Sequence, residues 1–303
     1  MVIASSPMPL QPQTSSISSD GGAFDGSGQD ALAGIAAFER FCTPSLSSRR
    51  TSDHDELVAR ARFHLRGAQR VRLSTSVGAV ETYTFAPAGP SKAGVLVLHG
   101  WSGEAAFMGA VGDFLRRRGY RAVLLDMPAH GLSEGRVTTL FDCARAALEV
   151  AEALGPIRFV FSHSIGAMAA LAAGEGHAPL PRSYPFAAYV LIAMPDAFGD
   201  VTRNFGAEIG LTPGALRAFE ARLEALAGRP IGDFTGGKLL SAVGRPALLL
   251  HARDDAEVPF ACSEAMAQTT GAALQAFDRL GHRAILYAPQ AVRAGTAFLD
   301  TQL

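Results

Sequence analysis

The sequence lacks the features of disulfide-stapled, zinc-binding and membrane-spanning proteins. Its three cysteines, Cys42, Cys143 and Cys262, are odd in number and widely spaced, which argues against a disulfide framework and a paired-cysteine zinc site. No segment reaches the roughly 18 consecutive apolar residues of a membrane span. The amino terminus also lacks the basic start and apolar run of a signal peptide. These absences predict a cytoplasmic protein that does not insert stably into membranes.

The net charge is also small, because 27 basic and 28 acidic side chains leave a formal charge of −1. Such a chain exerts no long-range attraction on nucleic acid or on an anionic membrane. The hydrophobic content of 48% is nevertheless ordinary for a protein with a substantial core. We therefore expect a globular protein whose partner is a small molecule and not a nucleic acid.

The composition changes once along the chain. Residues 1–30 are rich in Ser, Pro, Gly and Gln and have few large apolar side chains, so a disordered tail is predicted there. The rest contains no repeat and no linker, which predicts one domain over residues 31–303. Its first part, residues 31–69, is predicted to be mostly helical, with a break around Pro44.

Buried strands alternate with helices from about residue 70 onward. This alternation predicts an α/β fold with a mostly parallel central sheet covered by helices on both faces. Chemistry in such sheets lies at the carboxyl ends of the strands. The predicted strands are residues 71–74, 79–85, 94–98, 121–125, 157–161, 188–193, 247–250 and 274–277, and the predicted helices are 105–118, 138–154, 165–173, 259–270 and 284–299.

One connection is much longer than the others. About fifty residues separate the strand ending near Ala193 from the strand starting near Ala247, and they include a helical stretch at 214–227. We interpret residues 195–244 as a small helical cap inserted over the active site. An ordinary helix with long loops is the alternative.

The segment Ser162-His163-Ser164-Ile165-Gly166 joins a predicted buried strand directly to a helix. A serine on such a sharp turn exposes its hydroxyl above the sheet edge, and the turn requires small residues two positions before and after it. Ser164 alone has small residues on both flanks, so it is the candidate nucleophile. A serine that only caps the helix is the alternative for the motif taken by itself.

A serine hydroxyl needs a base, and in this arrangement the order along the chain is serine, acid, histidine. Only His282 follows the later acid candidates, so chain order selects it as the base. Asp255 follows a buried strand and is the favoured acid. Its neighbour Asp254 and the earlier Asp196, which follows the preceding strand, remain alternatives.

Acyl transfer also requires donors for an oxyanion. Ile165 opens a helix, so its backbone amide is free to serve. The loop after the strand at 94–98 contains Gly100, which permits a sharp turn, and the amide of Trp101 is the second candidate. The Trp101 side chain, the only tryptophan, either lines the pocket or packs in the core.

At these residues the sequence resembles the α/β-hydrolase family, in particular its small esterase and lipase-like branch. The resemblance covers residues 70–303. It rests on His99-Gly100-Trp101, on residues 126–133, on residues 162–166, and on residues 255–259 with Gly281-His282 beyond. Residues 126–133 carry Ala129 where the family commonly has glycine.

The resemblance implies Ser164 as nucleophile, Asp255 as acid, His282 as base and the Trp101 and Ile165 amides as the oxyanion hole. It implies that residues 126–133 form a structural loop beside the site. We therefore expect a serine hydrolase that cleaves a carboxylic ester, or a thioester, through an acyl-enzyme and needs no metal or organic cofactor.

The sequence disfavours two other functions. A dinucleotide-binding oxidoreductase is disfavoured because the loop Gly100-Trp101-Ser102-Gly103 lacks the third glycine of that motif and carries a bulky tryptophan. A catalytically silent hydrolase fold that only binds a ligand is disfavoured by the complete set of serine, acid and histidine candidates.

Overall fold

The computed structural model describes residues 26–44 and 61–303, and a sheet of eight strands forms its centre. The strands are β1 (Gln69–Thr75), β2 (Gly78–Phe85), β3 (Gly94–Leu98), β4 (Arg121–Leu125), β5 (Phe159–His163), β6 (Ala188–Ile192), β7 (Ala247–Ala252) and β8 (Ala273–Phe277). Their spatial order is β1-β2-β4-β3-β5-β6-β7-β8. The pairs β1–β2 and β2–β4 are antiparallel, and all remaining pairs are parallel.

Helices also form before, between and after the strands in the described residues. They are α1 (Gly26–Phe41), α2 (Gly109–Arg117), α3 (Leu140–Ala153), α4 (Ile165–Glu175), α5 (Phe198–Glu208), α6 (Pro213–Ala227), α7 (Gly236–Val243), α8 (Phe260–Thr270), α9 (Gly281–Ala284) and α10 (Pro289–Asp300). None of the helices in the described ranges is long and apolar enough to cross a bilayer.

The core has one layer on each face of the sheet. One layer of the core contains buried residues of α1 and α3–α8, and the other contains buried residues of α2 and α10. The strands β3, β5, β6 and β7 are buried along their whole length, as expected for parallel strands covered on both sides. The predicted fold class is therefore confirmed.

Several predicted boundaries were wrong, and polar residues explain the main error. The strand predicted at 157–161 is β5, Phe159–His163, because Ser162 and His163 are buried and pair with Leu191 and Ile192 of β6. The helix predicted at 284–299 is divided, since α10 begins at Pro289, a residue that favours the first turn of a helix.

The amino-terminal region is only partly described. Helix α1 begins at Gly26, inside the segment expected to be a tail, and residues 1–25 lie outside the described residues. The predicted helical region at 31–69 contains the rest of α1, while residues 45–60 also lie outside the described ranges. Strand β1 begins at Gln69, so the helical region ends before that position.

The long connection between β6 and β7 contains α5, α6 and α7. Helix α7 packs against α4 and α8 and belongs to the layer that covers the sheet. Helices α5 and α6 pack against each other, and α6 packs against α1. Helices α5 and α6 are therefore the part of the predicted cap at 195–244 that associates with α1.

Candidate active site

Ser164 lies at the sharp turn between β5 and α4. Its backbone has φ 53° and ψ −128°, a conformation that costs a residue with a Cβ free energy and that is found where function requires it. The Ser164 amide donates a 2.8 Å hydrogen bond to the Ile192 carbonyl, which fixes the turn against β6. The geometry is that of the strained strand-to-helix turn predicted from the sequence, with Ser164 at the sheet edge.

Two glycines bring the loop after β3 into contact with this turn. A Cβ on Gly166 would lie 2.2 Å from the His99 carbonyl oxygen, and one on Gly100 would lie 3.0 Å from the Ser164 Cβ. Any larger residue at Gly166 would therefore push the two segments apart. The close approach places the backbone around Gly100 directly beside Ser164.

The two predicted oxyanion donors border this contact. Within the part of the chain that the structure describes, the amides of Trp101 and Ile165 have no hydrogen-bond partner. For Ile165 the reason is its place in the first turn of α4, where amides have no carbonyl one turn earlier. Ser102, the next residue after Trp101, donates its amide to His130 Nε2 at 3.1 Å.

Asp255 and His282, which are 27 residues apart, form a buried hydrogen-bonded pair. Asp255 Oδ2 accepts from His282 Nδ1 at 2.8 Å, while Asp255 Oδ1 accepts the amides of Glu257 and Val258 at 2.9 and 2.8 Å. Burial alone would raise the pKa of Asp255, but the hydrogen bonds from His251, His282 and Val258 outweigh it and hold that pKa well below its usual range. The carboxylate therefore stays ionised.

The other two acid candidates have different contacts. Asp254 is exposed, and its Oδ1 accepts the amide of Leu280 at 3.2 Å, which braces the loop that carries His282. Asp196 is half-buried, and burial raises its pKa above the usual value. Of the three aspartates, Asp255 is the one that contacts His282.

His163 connects the serine turn to His282. Its Nε2 donates a hydrogen bond to the His282 carbonyl at 2.9 Å, and the two rings lie 4.6 Å apart between centroids. His163 immediately precedes Ser164, so this contact joins the His282 backbone to the residue beside the turn. Burial is the main reason that the pKa of His163 falls to about 3, and its ring is therefore neutral.

The loop at 126–133 is fixed by its first residue. Asp126 Oδ1 accepts the Ala105 amide at 2.6 Å and Oδ2 accepts the Leu132 amide at 2.9 Å. Asp126 thus joins this loop to Ala105, just after the loop that contains Gly100 and Trp101. Ala129 has φ 61°, a left-handed conformation that explains the glycine common at this position in the family that the sequence resembles.

Trp101 is half-buried and joins an aromatic cluster that reaches the helices of the long connection. Its ring stacks on Phe41 of α1 with centroids 6.2 Å apart, and Phe41 also contacts Phe198, Phe205 and Phe219. The indole also meets the His130 ring edge-on at 5.1 Å. Helix α1 therefore packs on the indole of Trp101 through Phe41.

The sequence analysis did not single out His163, His251 or Phe41. His251 was recognisable as a histidine at the end of a buried strand four residues before Asp255, whereas Phe41 reaches Trp101 through the packing of α1, which no local pattern indicates. Within residues 26–44 and 61–303, no group of three or more His, Cys, Asp or Glu side chains is arranged to hold a metal ion.

Comparison with known families gives an independent test of the fold. The sequence profile of the alpha/beta hydrolase family matches residues 95–294, which is more than half of the chain. A search of curated proteins finds no match to the sequence.

Solved structures with the same fold include several esterases and hydrolases. An esterase from Thermogutta terrifontis is 20% identical, with a TM-score of 0.56 over 77% of this chain and 99% of that one. An esterase from Pyrococcus furiosus is 19% identical, with a TM-score of 0.58 over 80% and 93%. A serine hydrolase involved in carbazole degradation is 18% identical, with a TM-score of 0.56 over 77% and 99%. At these identities the similarity establishes a shared fold.

Proposed function

Because the chain belongs to the alpha/beta hydrolase family, we propose that it is a serine hydrolase that cleaves a carboxylic ester or thioester of a small molecule. The observation that carries this proposal is the combination of a strained Ser164 turn with a buried Asp255–His282 pair, linked to each other through His163. Ser164 is the proposed nucleophile, His282 the base and Asp255 the acid that orients it.

The proposed reaction has two steps. Ser164 Oγ attacks the carbonyl carbon while His282 Nε2 takes its proton, and that proton then leaves with the alcohol or thiol as the acyl-enzyme forms. His282 next removes a proton from water, which attacks the acyl-enzyme and releases the acid and the free serine. Asp255 keeps the Nδ1 proton directed at its own Oδ2, so Nε2 is the basic nitrogen.

The amides of Trp101 and Ile165 are the proposed oxyanion hole. Both lie at the contact between the loop after β3 and the Ser164 turn, and neither has another hydrogen-bond partner among the described residues. Free amides held in place before the reaction stabilise the oxyanion without first breaking other bonds.

The proposed substrate is small, with an apolar part near Trp101. Helices α1, α5 and α6 bring Phe41, Phe198, Phe205 and Phe219 together beside the indole, and we propose that they act as the cap. Phe198 and Phe219 are fully buried, whereas Trp101, Phe41 and Phe205 keep part of their surface exposed. Apolar ligand surface gains free energy from burial against such partly exposed side chains. A cytoplasmic location and independence from cofactors remain predictions.

The test is covalent labelling combined with turnover. A fluorophosphonate should modify Ser164, as read by peptide mass spectrometry, and Ser164→Ala should lose both the label and the hydrolysis of p-nitrophenyl acetate, by at least about 10³-fold in kcat. The Ser162→Ala variant is the matched control. Ser162 is the buried residue two positions earlier, and among the described residues its Oγ hydrogen-bonds only the Val190 carbonyl, at 3.4 Å, so this variant should keep both activities.

Other outcomes would identify the alternatives. If p-nitrophenyl esters are turned over equally by the wild type and by Ser164→Ala, the nucleophile is wrong. If the folded wild type neither takes the label nor hydrolyses any ester in a series of increasing acyl length, the protein is instead a catalytically silent hydrolase fold that only binds a ligand.

A further inference from the structure

A second imidazole contacts the carboxylate that orients the proposed base. His251 is the penultimate residue of the fully buried strand β7, and its Nε2 lies 3.2 Å from Asp255 Oδ2, the same oxygen that accepts from His282. The side chains of His251 and Asp255 are both fully buried. Asp255 Oδ2 is thus shared between two imidazole rings.

The contacts of the His251 ring determine where its proton lies. Both neighbours of Nε2, Asp255 Oδ2 and the Val258 carbonyl at 3.0 Å, can only accept hydrogen bonds, so Nε2 must carry a proton. Ser263 Oγ lies 2.7 Å from Nδ1, where its hydroxyl can donate to the lone pair of the neutral ring. Ser263 therefore selects the tautomer that donates toward Asp255.

From this geometry we infer that His251 and Ser263 are positioning residues for catalysis: they hold a fixed N–H, shared with the Val258 carbonyl, against Asp255 Oδ2. The inference rests on the proposed function, in which Asp255 orients His282. A donor that stabilises the carboxylate weakens its attraction for the protonated base. His251 and Ser263 then determine how strongly Asp255 favours the charged His282 imidazole that forms during the reaction.

The other groups around Asp255 do not duplicate this arrangement. His163, at the end of β5, donates to the His282 carbonyl and not to the carboxylate. Arg283, in α9, is exposed and paired with Glu257. Cys262, in α8 next to Ser263, is half-buried and has no hydrogen bond to Asp255 among the described residues. Only His251 and His282 place a side-chain donor on Asp255 in the described part of the chain.

The test removes the donor while keeping an aromatic ring in place. His251→Phe should lower kcat for p-nitrophenyl acetate by roughly 10-fold with little change in KM, and should move the acid limb of the kcat/KM profile upward by about half a pH unit or more. His251→Gln, which can still direct an amide donor at Asp255, should restore most of both quantities. Ser263→Ala should move the profile in the same direction by a smaller amount.

A readout without substrate separates this inference from the proposed function. The proton resonance of His282 Nδ1 should move downfield in His251→Phe and in Ser263→Ala, because Asp255 becomes a stronger acceptor once it loses a competing donor. If the wild type labels at Ser164 but the pH profile and this resonance are the same in both variants, the inference is overturned and the proposed function stands. If Ser164 does not react, the proposed function fails, and the resonance still decides whether His251 tunes the Asp255–His282 bond. Should His251→Phe not fold, Ser263→Ala gives the same decision.

Discussion

The buried histidines of this protein form two groups with different surroundings. His99, His130 and His163 face backbone carbonyls and amides, and each makes hydrogen bonds that fix loops around the Ser164 turn. His251 and His282 instead face the Asp255 carboxylate from two sides. The first group is neutral, because burial is the leading cause that lowers the pKa of His99 to about 4 and those of His130 and His163 to about 3.

This difference shows what decides the role of a buried histidine. His99 and His130 each lie between a carbonyl and an amide and serve as neutral connectors with one donor and one acceptor, so charging either ring would remove the acceptor. His163 donates to a carbonyl alone. A ring against a carboxylate can accept a proton at its other nitrogen because the positive charge is compensated. The type of the partner, and not the depth of burial, therefore separates the two groups.

The largest effect should come from removing the carboxylate that distinguishes the second group. Asp255→Asn should lower kcat for ester hydrolysis by about 10³- to 10⁴-fold, because the amide can no longer hold His282 in the tautomer with a basic Nε2. Steady-state kinetics with a p-nitrophenyl ester checks this, and circular dichroism verifies the fold.

Asp254→Asn is the matched control for that substitution. The Asn Oδ1 still accepts the Leu280 amide, so this variant should stay within a few-fold of the wild type. A large loss in Asp254→Asn or in Asp196→Asn, with activity retained in Asp255→Asn, would assign the acid to another residue and end the distinction between the two histidine groups.

The neutral group should make the protein sensitive to acid. The three rings have folded pKa values of about 4, 3 and 3, whereas an unfolded histidine titrates near 6.5. Below that pH the unfolded chain binds protons that the folded chain does not, so the free energy of unfolding falls as the pH drops from about 6.5 toward 4. Each ring contributes up to about 1.4 kcal/mol per pH unit in that window.

Asp126 opposes this trend, since burial is the main reason that its pKa rises to about 6, and between pH 6 and 4 its folded form binds the extra proton. The three histidines outweigh Asp126, so the free energy of unfolding should fall by on the order of a few kcal/mol across this pH window. Urea denaturation at pH 6.5, 5.5 and 4.5 measures it. His99→Asn should reduce the slope by roughly a third of the histidine contribution, and an unfolding free energy that is flat over this window contradicts the neutral state of the three rings.

The sequence predicted the elements that carry local signals and missed those that depend on packing. The buried strands and the turn at Ser164 were recognisable because apolar runs and small residues have direct steric causes. The choice among Asp254, Asp255 and Asp196 was not fixed by sequence, because two adjacent aspartates after one strand differ only in the direction that the chain gives their side chains. The contact of Phe41 with Trp101 depends on the docking of α1 against α6, which has no counterpart in local spacing.

The same reasoning explains why the end of β5 was placed two residues too early. Ser162 and His163 are polar, so a hydropathy pattern ends the strand at Phe161, but both pair with β6 and are buried. His163 finds its hydrogen-bond acceptor in the His282 carbonyl, 119 residues away. A buried polar residue is stable when such a partner exists, and the sequence alone does not reveal a partner at that distance.

The smallest predicted effect distinguishes the two groups most sharply. His163→Leu removes the hydrogen bond to the His282 carbonyl but leaves Asp255 and its donors in place, so kcat/KM should fall by roughly 10-fold as the base loses its position. The acid limb of the pH profile should stay where it is, in contrast to its movement in His251→Phe. His163→Gln, which retains a donor, should recover part of the rate. If the profile moves in His163→Leu as far as in His251→Phe, then contact with the backbone and contact with the carboxylate are equivalent for the base, and partner type does not separate the histidines.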